Sequence, residues 1–375
     1  MTTVVIAPDK FKGALTAMQA AQAIERGVKR ASADIECKLC PMADGGEGTV
    51  ETFLDRGAKR MTARVRGPLG KPVQAAFAID DRTAIVEMSS ASGLGLLDTS
   101  QYDPTKTDTF GTGGLITAAL SAGARRIIVG LGGSATNDAG TGMLRALGVR
   151  FLDKNGDELR EGILTYERLA SIDIEGLDDR VRDVQIDAAV DVDNPLCGSD
   201  GASYTFAKQK GATPEQIERL DAVLEHIADV AARALGHDER NTPGAGAAGG
   251  LGFALVAFLD AKLERGVKLI ADEVGLPEMM RGASLCMTGE GKVDMQTLHG
   301  KTVAGVAEIA RDCEVPVIAF GGKVEDDAKA ALSERGIEAV QTAPPEMPAE
   351  QAMGKAGECL EEAAASAANA FFHGR

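Results

Sequence analysis

The sequence lacks tryptophan, and only 4% of its 375 residues are aromatic. Because proteins that bind single-stranded nucleic acid stack the bases on aromatic side chains, this scarcity argues against that class. The formal net charge of −16 argues against nucleic acid in general, since such binding depends on neutralising phosphates with lysine and arginine. We therefore expect no nucleic-acid partner.

Long hydrophobic runs are absent as well. No stretch of about 18 apolar residues occurs, so the sequence predicts no membrane-spanning helix and no membrane partner. The first residues lack the basic flank and the small-residue cleavage site that are typical of a signal peptide. A cytoplasmic location is the resulting expectation.

Neither cysteine nor histidine provides a metal-binding pattern. The six cysteines are dispersed, and the four histidines form no cluster with ligand spacing. Cys37 and Cys40 have CxxC spacing, but they lie in a predicted strand, whose alternating side chains would place them on opposite faces. We interpret them as structural thiols of a reducing compartment.

The order of predicted elements indicates an α/β protein. Strand-like and helix-like segments alternate at both ends of the chain. In the part between these ends, the apolar segments on either side of Asp80 and Asp81 predict a β-hairpin. We therefore predict a flavodoxin- or Rossmann-like parallel sheet in a domain made from residues 1–66 and 271–375. A second, mixed α/β domain would be inserted at residues 67–270. Two consecutive domains are the alternative.

Glycine-rich segments mark the predicted ends of several strands. A strand at 284–287 would end before a loop at 288–302, and a strand at 315–320 would end at the next two glycines. A strand near 60–66 would complete a parallel β-α-β-α-β unit. Because ligands of open α/β sheets bind beyond the carboxyl ends of the strands, the loops there are candidate sites.

Three of these loops combine glycine with charged side chains, namely Asp9–Gly13, Asp44–Gly48 and Thr288–Thr302. Glycine lets a backbone approach an anion closely, lysine neutralises phosphate charge, and a carboxylate can hold Mg²⁺. We expect the three loops to share one rim of the sheet. The last is not a Walker A motif, because Met295 stands where that motif requires its first glycine.

Residues 130–142 form another glycine-rich loop after a predicted strand. Gly130, Gly132 and Ala135 satisfy a loose dinucleotide fingerprint, which makes a nicotinamide-dependent oxidoreductase an alternative function. The polar side chains that follow, beginning with Ser134, suit a loop that binds a triphosphate and a metal ion instead.

Two aspartates follow the apolar segment 186–190. If that strand continues, Asp191 and Asp193 fall on one face, where two carboxylates can orient a hydroxyl proton and a metal ion. A strand end with Asx turns explains the same residues, and the spacing alone does not separate the two interpretations.

These segments together resemble the bacterial glycerate kinases of the type-1 family. The resemblance implies a two-domain α/β fold with one flavodoxin-like part. It also implies ATP-dependent phosphorylation of D-glycerate, with 2-phosphoglycerate as the product of the bacterial branch. The matching motifs span nearly the whole chain in the family's order and are DKFKG at 9–13, ADGGEGT at 43–49, GLGGSATNDAGTG at 130–142, DVDNPLCG at 191–198 and TGEGKVDMQTLHGKT at 288–302.

Candidate residues follow from the chemistry that phosphoryl transfer to glycerate requires. The base that accepts the hydroxyl proton is predicted to be Asp191, with Asp294 as the second candidate. The remaining predicted roles are nucleotide binding for Gly132, Gly133, Ser134, Asn137, Gly289 and Gly291, charge neutralisation for Lys10 and Lys301, glycerate binding for Asp9, Lys12, Gly45 and Gly46, and Mg²⁺ binding for Asp44 and Glu290.

Other readings of the sequence stay open at this point. The 3-hydroxyl of glycerate is an alternative acceptor, and a non-catalytic nucleotide-binding protein is a further alternative to the oxidoreductase. The oligomeric state is also open, with a homo-oligomer among the options.

Overall fold

The computed structural model describes residues 2–160, 162–298 and 302–374. These residues form alternating strands and helices, which confirms the predicted α/β class. Among them, no helix combines the length and the apolar character that crossing a bilayer requires. The predicted site residue Lys301 lies outside the described ranges.

The elements are numbered in chain order. The strands are β1 (Thr3–Ile6), β2 (Glu36–Leu39), β3 (Lys59–Arg66), β4 (Pro72–Asp80), β5 (Thr83–Glu87), β6 (Arg126–Gly130), β7 (Arg150–Asp153), β8 (Leu169–Asp173), β9 (Gln185–Val190), β10 (Lys262–Arg265), β11 (Leu285–Val293), β12 (Val317–Val324) and β13 (Ile337–Gln341). The α-helices are α1 (Ala17–Ala31), α2 (Thr49–Leu54), α3 (Ser89–Ser92), α4 (Phe110–Ser121), α5 (Thr141–Ala146), α6 (Ala202–Phe206), α7 (Pro214–Leu235), α8 (Ala247–Leu259), α9 (Gly266–Glu273), α10 (Leu276–Met280), α11 (Thr302–Asp312), α12 (Asp326–Glu334), α13 (Ala349–Gly354) and α14 (Ala356–His373).

The chain divides into two compact units. Unit 1 combines residues 1–44 with 267–375, and unit 2 contains residues 45–266. One unit is thus built from both chain ends, and the other is inserted between them. The observed boundaries differ from those predicted after residues 66 and 270, and the larger difference is at the first boundary.

The strand predicted near residues 60–66 accounts for that difference. It exists as β3, but it pairs antiparallel with β4 in unit 2 instead of completing a parallel sheet in unit 1. The reason is the length of the connection, since a short turn joins antiparallel strands whereas a parallel strand needs a long crossover. The amide of Gly67 donates to the carbonyl of Lys71 at 2.6 Å and closes such a turn.

Unit 1 contains a five-stranded parallel sheet in the order β2-β1-β11-β12-β13. Numbered within the unit, this order is 2-1-3-4-5, the flavodoxin-like arrangement. The prediction of a flavodoxin-like sheet made from both chain ends is therefore confirmed. The strand order reverses between β1 and β11, and ligands of such sheets bind where this reversal occurs.

Two strands of unit 1 are longer than predicted. β11 and β12 both continue through their glycines, to Val293 and Val324, and they stay paired along this extension. Glycine permits the pairing here instead of ending it. A Cβ atom at Gly289 would lie only 2.4 Å from the carbonyl oxygen of Phe320, so the strands can approach only because that atom is missing.

Helix α1 begins and packs as its sequence predicts. The hydroxyl of Thr16 accepts from the amide of Gln19, whose side chain in turn accepts from the amide of Thr16, and this capping box satisfies two amides of the first turn. Ala21, Ile24 and Val28 recur at helical spacing and are fully buried. They belong to the apolar core of unit 1 together with β1 and β11 side chains.

Unit 2 contains a mixed six-stranded sheet in the order β10-β9-β6-β5-β4-β3. The strands β5, β6, β9 and β10 are parallel, and the predicted hairpin adds β4 and β3 as an antiparallel edge. Strands β7 and β8 form a separate hairpin. The carboxyl ends of the four parallel strands place the loops after Glu87, Gly130 and Val190 on one rim.

Candidate active site

The glycine-rich loop after β6 lies against the segment that begins at Gly45. A Cβ atom at Gly130 would be 2.0 Å from the carbonyl oxygen of Gly45, and one at Gly132 would be 2.7 Å from the Cα atom of Gly46. Gly45 itself has a φ of +88°, a left-handed conformation that favours glycine. The structure thus brings together glycines predicted separately for glycerate and nucleotide binding.

A cleft of about 340 Å³ opens on this rim of unit 2. Four predicted site residues line it, namely Gly132, Gly133, Ser134 and Asp191. The amides of Gly132 and Gly133 have no hydrogen-bond acceptor among the described residues. Because consecutive free amides in a loop with a left-handed residue form an anion-binding concavity, this wall of the cleft suits phosphate or carboxylate oxygens.

Asp191 follows the end of β9, which stops at Val190. The strand therefore does not continue, and the condition for placing Asp191 and Asp193 on one strand face is not met. Both side chains are exposed, but Asp191 lines the cleft and Asp193 does not. The structure favours a single carboxylate at the cleft over a pair.

The side chain of Asn137 points away from the cleft wall, although the residue belongs to the glycine-rich loop. It is fully buried, and its amide nitrogen donates to the hydroxyl of Ser203 at 2.9 Å. Its side-chain oxygen has no hydrogen-bond partner among the described residues. The cleft wall does not include Asn137, so a direct contact with nucleotide phosphates is not what this geometry supports.

The neighbouring Asp138 holds the loop in place. Its carboxylate accepts from the amide and the hydroxyl of Thr109, at 2.9 and 2.8 Å, and from the amides of Gly140 and Gly142, both at 3.2 Å. Complete burial raises the pKa of Asp138 to about 6 despite these donors. These donors occupy both oxygens of the carboxylate. Asp138 therefore has a structural role, which is to hold the loop at the start of α5.

Lys210 also lines the cleft, and the sequence did not identify it. Only 2% of its surface is exposed, and its ammonium donates to the carbonyl oxygen of Thr136 at 2.7 Å. Burial lowers its pKa to about 7, although the nearby charge of Asp138 opposes this effect. A buried lysine beside a glycine-rich loop is a candidate functional residue.

In unit 1, Asp9 lies at the point where the strand order reverses. Its amide donates to the carbonyl of Gly289 at 2.8 Å. Its carboxylate accepts from the amide of Lys10 at 2.6 Å and from the hydroxyl of Thr302 at 2.5 Å. Burial and, second, the negative charge of Asp44 raise the pKa of Asp9 to about 6. The predicted substrate ligand thus joins β1, β11 and the start of α11.

Asp44 lies close enough to Asp9 for its negative charge to contribute to the raised pKa of Asp9. Mg²⁺ takes one or two protein carboxylates and completes its shell with water and phosphate, so this part of unit 1 is a candidate for it. Glu290, the other predicted metal ligand, is half-buried after Gly289 on the adjacent strand. No group of three or more ligand side chains occurs among the residues that the structure describes.

The other predicted residues of unit 1 are more exposed. Lys12 and Gly291 line a pocket of about 360 Å³, together with residues near the carboxyl ends of β12 and β13. Asp294, the second candidate base, forms an ion pair with Lys292 at 3.2 Å, and Lys292 also pairs with Glu325 at 2.8 Å. The ion pair occupies one oxygen of Asp294, and the other oxygen accepts from the amide of Gln296 at 2.9 Å.

Comparison with known proteins decides the family. The sequence model of the glycerate kinase family matches residues 4–372. The chain belongs to the glycerate kinase family. It is 47% identical over 365 residues to the glycerate kinase of Bacillus subtilis (strain 168), covering 96% of this chain and 95% of that protein. It is 46% identical over 341 residues to the glycerate 2-kinase of Escherichia coli (strain K12), covering 90% of this chain and 89% of that protein.

A solved structure supports the same family. The crystal structure assigned to glycerate kinase 2 of Salmonella typhimurium LT2 is 43% identical, with a TM-score of 0.90 that covers 100% of this chain and 99% of that one. Glycerate kinases are phosphotransferases with an alcohol acceptor, so the chain is a kinase. The resemblance found in the sequence motifs is confirmed.

The glycine-rich loop after β6 does not have the geometry of a dinucleotide site. In that motif the helix opens at the glycines, so that its free amides face the pyrophosphate. Here the residues between β6 and α5 form no helix, and α5 begins only at Thr141. The fingerprint at residues 130–135 instead reflects close backbone packing, which also requires glycine.

Proposed function

We propose that the protein transfers the terminal phosphoryl group of ATP to the 2-hydroxyl of D-glycerate and releases ADP and 2-phosphoglycerate. Membership of the glycerate kinase family supports the reaction class, and the relative named glycerate 2-kinase supports the position of transfer. The observation that carries the proposal is the cleft of unit 2. It combines the free amides of Gly132 and Gly133 with the carboxylate of Asp191.

In this cleft the glycine loop binds phosphate oxygens through its amides, and the hydroxyl of Ser134 is a further donor. Asp191 accepts the proton of the 2-hydroxyl as its oxygen attacks the terminal phosphorus. The bond between that phosphorus and the bridging oxygen then breaks, and ADP leaves with the electron pair. Gly45 and Gly46 bring their backbone against Gly130 and Gly132 of the same loop, and we assign them to glycerate.

In unit 1 we assign Asp44 and Glu290 to Mg²⁺, which neutralises phosphate charge when it is bound. Asp9 acts through the contacts it makes, because its carboxylate oxygens already accept hydrogen bonds. Lys10, Lys12 and Lys301 are proposed to bind anions, and Gly289 and Gly291 to let the nucleotide approach the backbone closely. Asp294 stays the second candidate for the general base.

The direct test is a coupled assay for ADP release with ATP, Mg²⁺ and D-glycerate, followed by phosphorus NMR of the product. The phosphorus of 2-phosphoglycerate couples to a single proton and gives a doublet, whereas that of 3-phosphoglycerate couples to two and gives a triplet. We expect a doublet, and we expect chelation by EDTA to abolish turnover until Mg²⁺ is restored. A triplet would show that the 3-hydroxyl is the acceptor. ADP release that does not depend on glycerate would refute the proposed reaction.

A further inference from the structure

Lys210 is a charged side chain in a place where charge is costly. It ends the short 3₁₀ helix Lys208–Lys210, and only 2% of its surface is exposed. Moving an ammonium out of water is unfavourable by several kcal/mol unless a negative group compensates it. A lysine of this kind therefore needs either a partner in the protein or a ligand.

The protein supplies only one neutral partner. The ammonium donates to the carbonyl oxygen of Thr136, and no carboxylate among the described residues lies within the 4.0 Å of an ion pair. The nearest relevant charge is that of Asp138, whose carboxylate already accepts from two backbone amides near α5 and from Thr109. An ammonium has three donors, so two of them are left for other acceptors.

The cleft is where those donors can find an acceptor. Lys210 and the amides of Gly132 and Gly133 line the same 340 Å³ space, and the two amides also lack acceptors among the described residues. Gly133 has a φ of +74°, which is the left-handed residue that turns successive amides toward one anion. A buried cation and unpaired amides thus line one space, and among the described residues that line it Asp191 is the acidic one.

We propose that Lys210 is an oxyanion-binding residue of the kinase reaction and that it binds the terminal phosphate of the nucleotide together with the amides of Gly132 and Gly133. This inference rests on the proposed kinase function. A phosphate gives the buried ammonium the negative partner that the protein does not provide. The charge that develops on the transferring phosphoryl group strengthens the contact in the transition state, which makes it a catalytic contact.

The alternative is that Lys210 only holds the carbonyl of Thr136. In that case a neutral side chain that can still donate to this carbonyl, as in Lys210→Gln, would preserve kcat and analogue affinity, whereas the loss of charge would lower both if the lysine binds phosphate. The substrate's carboxylate is a second source of the same chemistry. Kinetics separate these cases, because loss of a phosphate contact lowers kcat, whereas loss of a carboxylate contact raises the KM for glycerate.

The experiment compares Lys210→Met with Lys208→Met, a matched control on the exposed lysine two positions earlier. We expect Lys210→Met to lower kcat by at least about 100-fold, with the KM for glycerate changed less than about twofold. Its affinity for a non-hydrolysable ATP analogue, measured by calorimetry, should fall about tenfold or more. Lys208→Met should match the wild type in all three quantities.

Three results would overturn the proposal. Unchanged kcat and analogue affinity in a folded Lys210→Met variant would leave only the structural role, and a selective rise in the KM for glycerate would assign the lysine to the carboxylate. If the variant does not fold, hydrogen exchange of the wild type decides, because the amides of residues 130–136 should be protected by the analogue. Absence of protection refutes the site. The binding measurements need no turnover, so they can fail independently of the glycerate assay.

Discussion

The two units present rims of opposite character at the carboxyl ends of their parallel strands. In unit 1 the ionisable group buried at the rim is the carboxylate of Asp9, with the more exposed Lys10 and Lys12 on the same loop, and we propose this rim for a divalent cation. In unit 2 the corresponding rim is built from glycine backbone and the buried ammonium of Lys210, and it suits an anion. Similar architecture therefore gives opposite electrostatic environments, and the difference comes from a few residues in the loops.

Each rim also contains a buried ionisable group whose charge is disfavoured. Burial raises the pKa of Asp9 to about 6 and lowers that of Lys210 to about 7. Such groups destabilise the isolated protein, and they concentrate at sites where a ligand compensates them. Asp138 has a similarly raised pKa, but backbone donors surround it. Asp9 and Asp138 thus accept hydrogen bonds from several protein donors, whereas the described residues give the ammonium of Lys210 one acceptor, the carbonyl of Thr136.

The largest expected effect tests the one carboxylate of the unit 2 cleft. Asp191→Asn keeps the size of the side chain but removes the proton acceptor, and loss of a general base lowers kcat by about 10²–10⁴-fold. ATP affinity should change little, because the amide adds no charge to the phosphate site. Steady-state kinetics with D-glycerate and calorimetry with an ATP analogue measure the two quantities.

Asp193→Asn is the matched control, since Asp193 is exposed nearby but does not line the cleft. It should retain wild-type kcat. Near-normal kcat in Asp191→Asn would remove Asp191 from the mechanism. The assignment of the base would then pass to Asp294, and the cleft of unit 2 would be an anion site alone.

An intermediate effect is expected for the backbone of the same cleft. A Cβ atom at Gly133 would lie 3.3 Å from the Cβ of Ser89, and the residue has a φ of +74°. Gly133→Val should therefore strain the loop and narrow the approach of phosphates, lowering nucleotide affinity about tenfold or more, since a strained non-glycine residue costs about 1–3 kcal/mol. Calorimetry with the ATP analogue gives the affinity.

Gly123→Val separates strain from obstruction. Gly123 has a φ of +92° in the same unit, with no atom within 4 Å of a Cβ built on it. This variant should lower the thermal midpoint to a similar extent while leaving nucleotide affinity unchanged. Equal affinities for both variants and the wild type would mean that the loop is structural and that nucleotide binding depends on other residues.

Local signals explain which parts of this architecture the sequence could predict. Helix α7 has local signals at both ends, because Thr213 and Gln216 form a capping box and Gly236 takes the left-handed conformation that ends a helix. The glycine motifs also identified the family. These signals are contained within a few neighbouring residues, so no tertiary information is needed to read them.

Features that depend on distant partners were not predicted. The glycines of β11 indicated a loop, but β12 supplies backbone partners that keep it a strand. The sequence did not identify Lys210, whose ammonium contacts the carbonyl of Thr136, 74 positions away in the chain. Neither the partner of a strand nor the burial of a lysine is encoded in the local pattern.

The smallest expected effect concerns the stability of unit 1. The folded-state pKa of Asp9 is raised from 3.8 to about 6, so the folded protein binds this proton more tightly than the unfolded chain. The associated stability is present below pH of about 4 and is lost as the pH rises through about 6. Asp9→Asn cannot ionise and should raise the thermal midpoint at pH 8, with a gain of about 1–2 kcal/mol after allowance for weaker hydrogen bonds. At pH 4.5 the gain should disappear, whereas the exposed control Asp34→Asn should show no such change at either pH. If Asp9→Asn is instead less stable than the wild type at pH 8, the hydrogen bonds from Thr302 and Lys10 stabilise the ionised carboxylate more than burial disfavours it. Asp9 would then no longer be a buried group whose charged form is disfavoured, as that of Lys210 is.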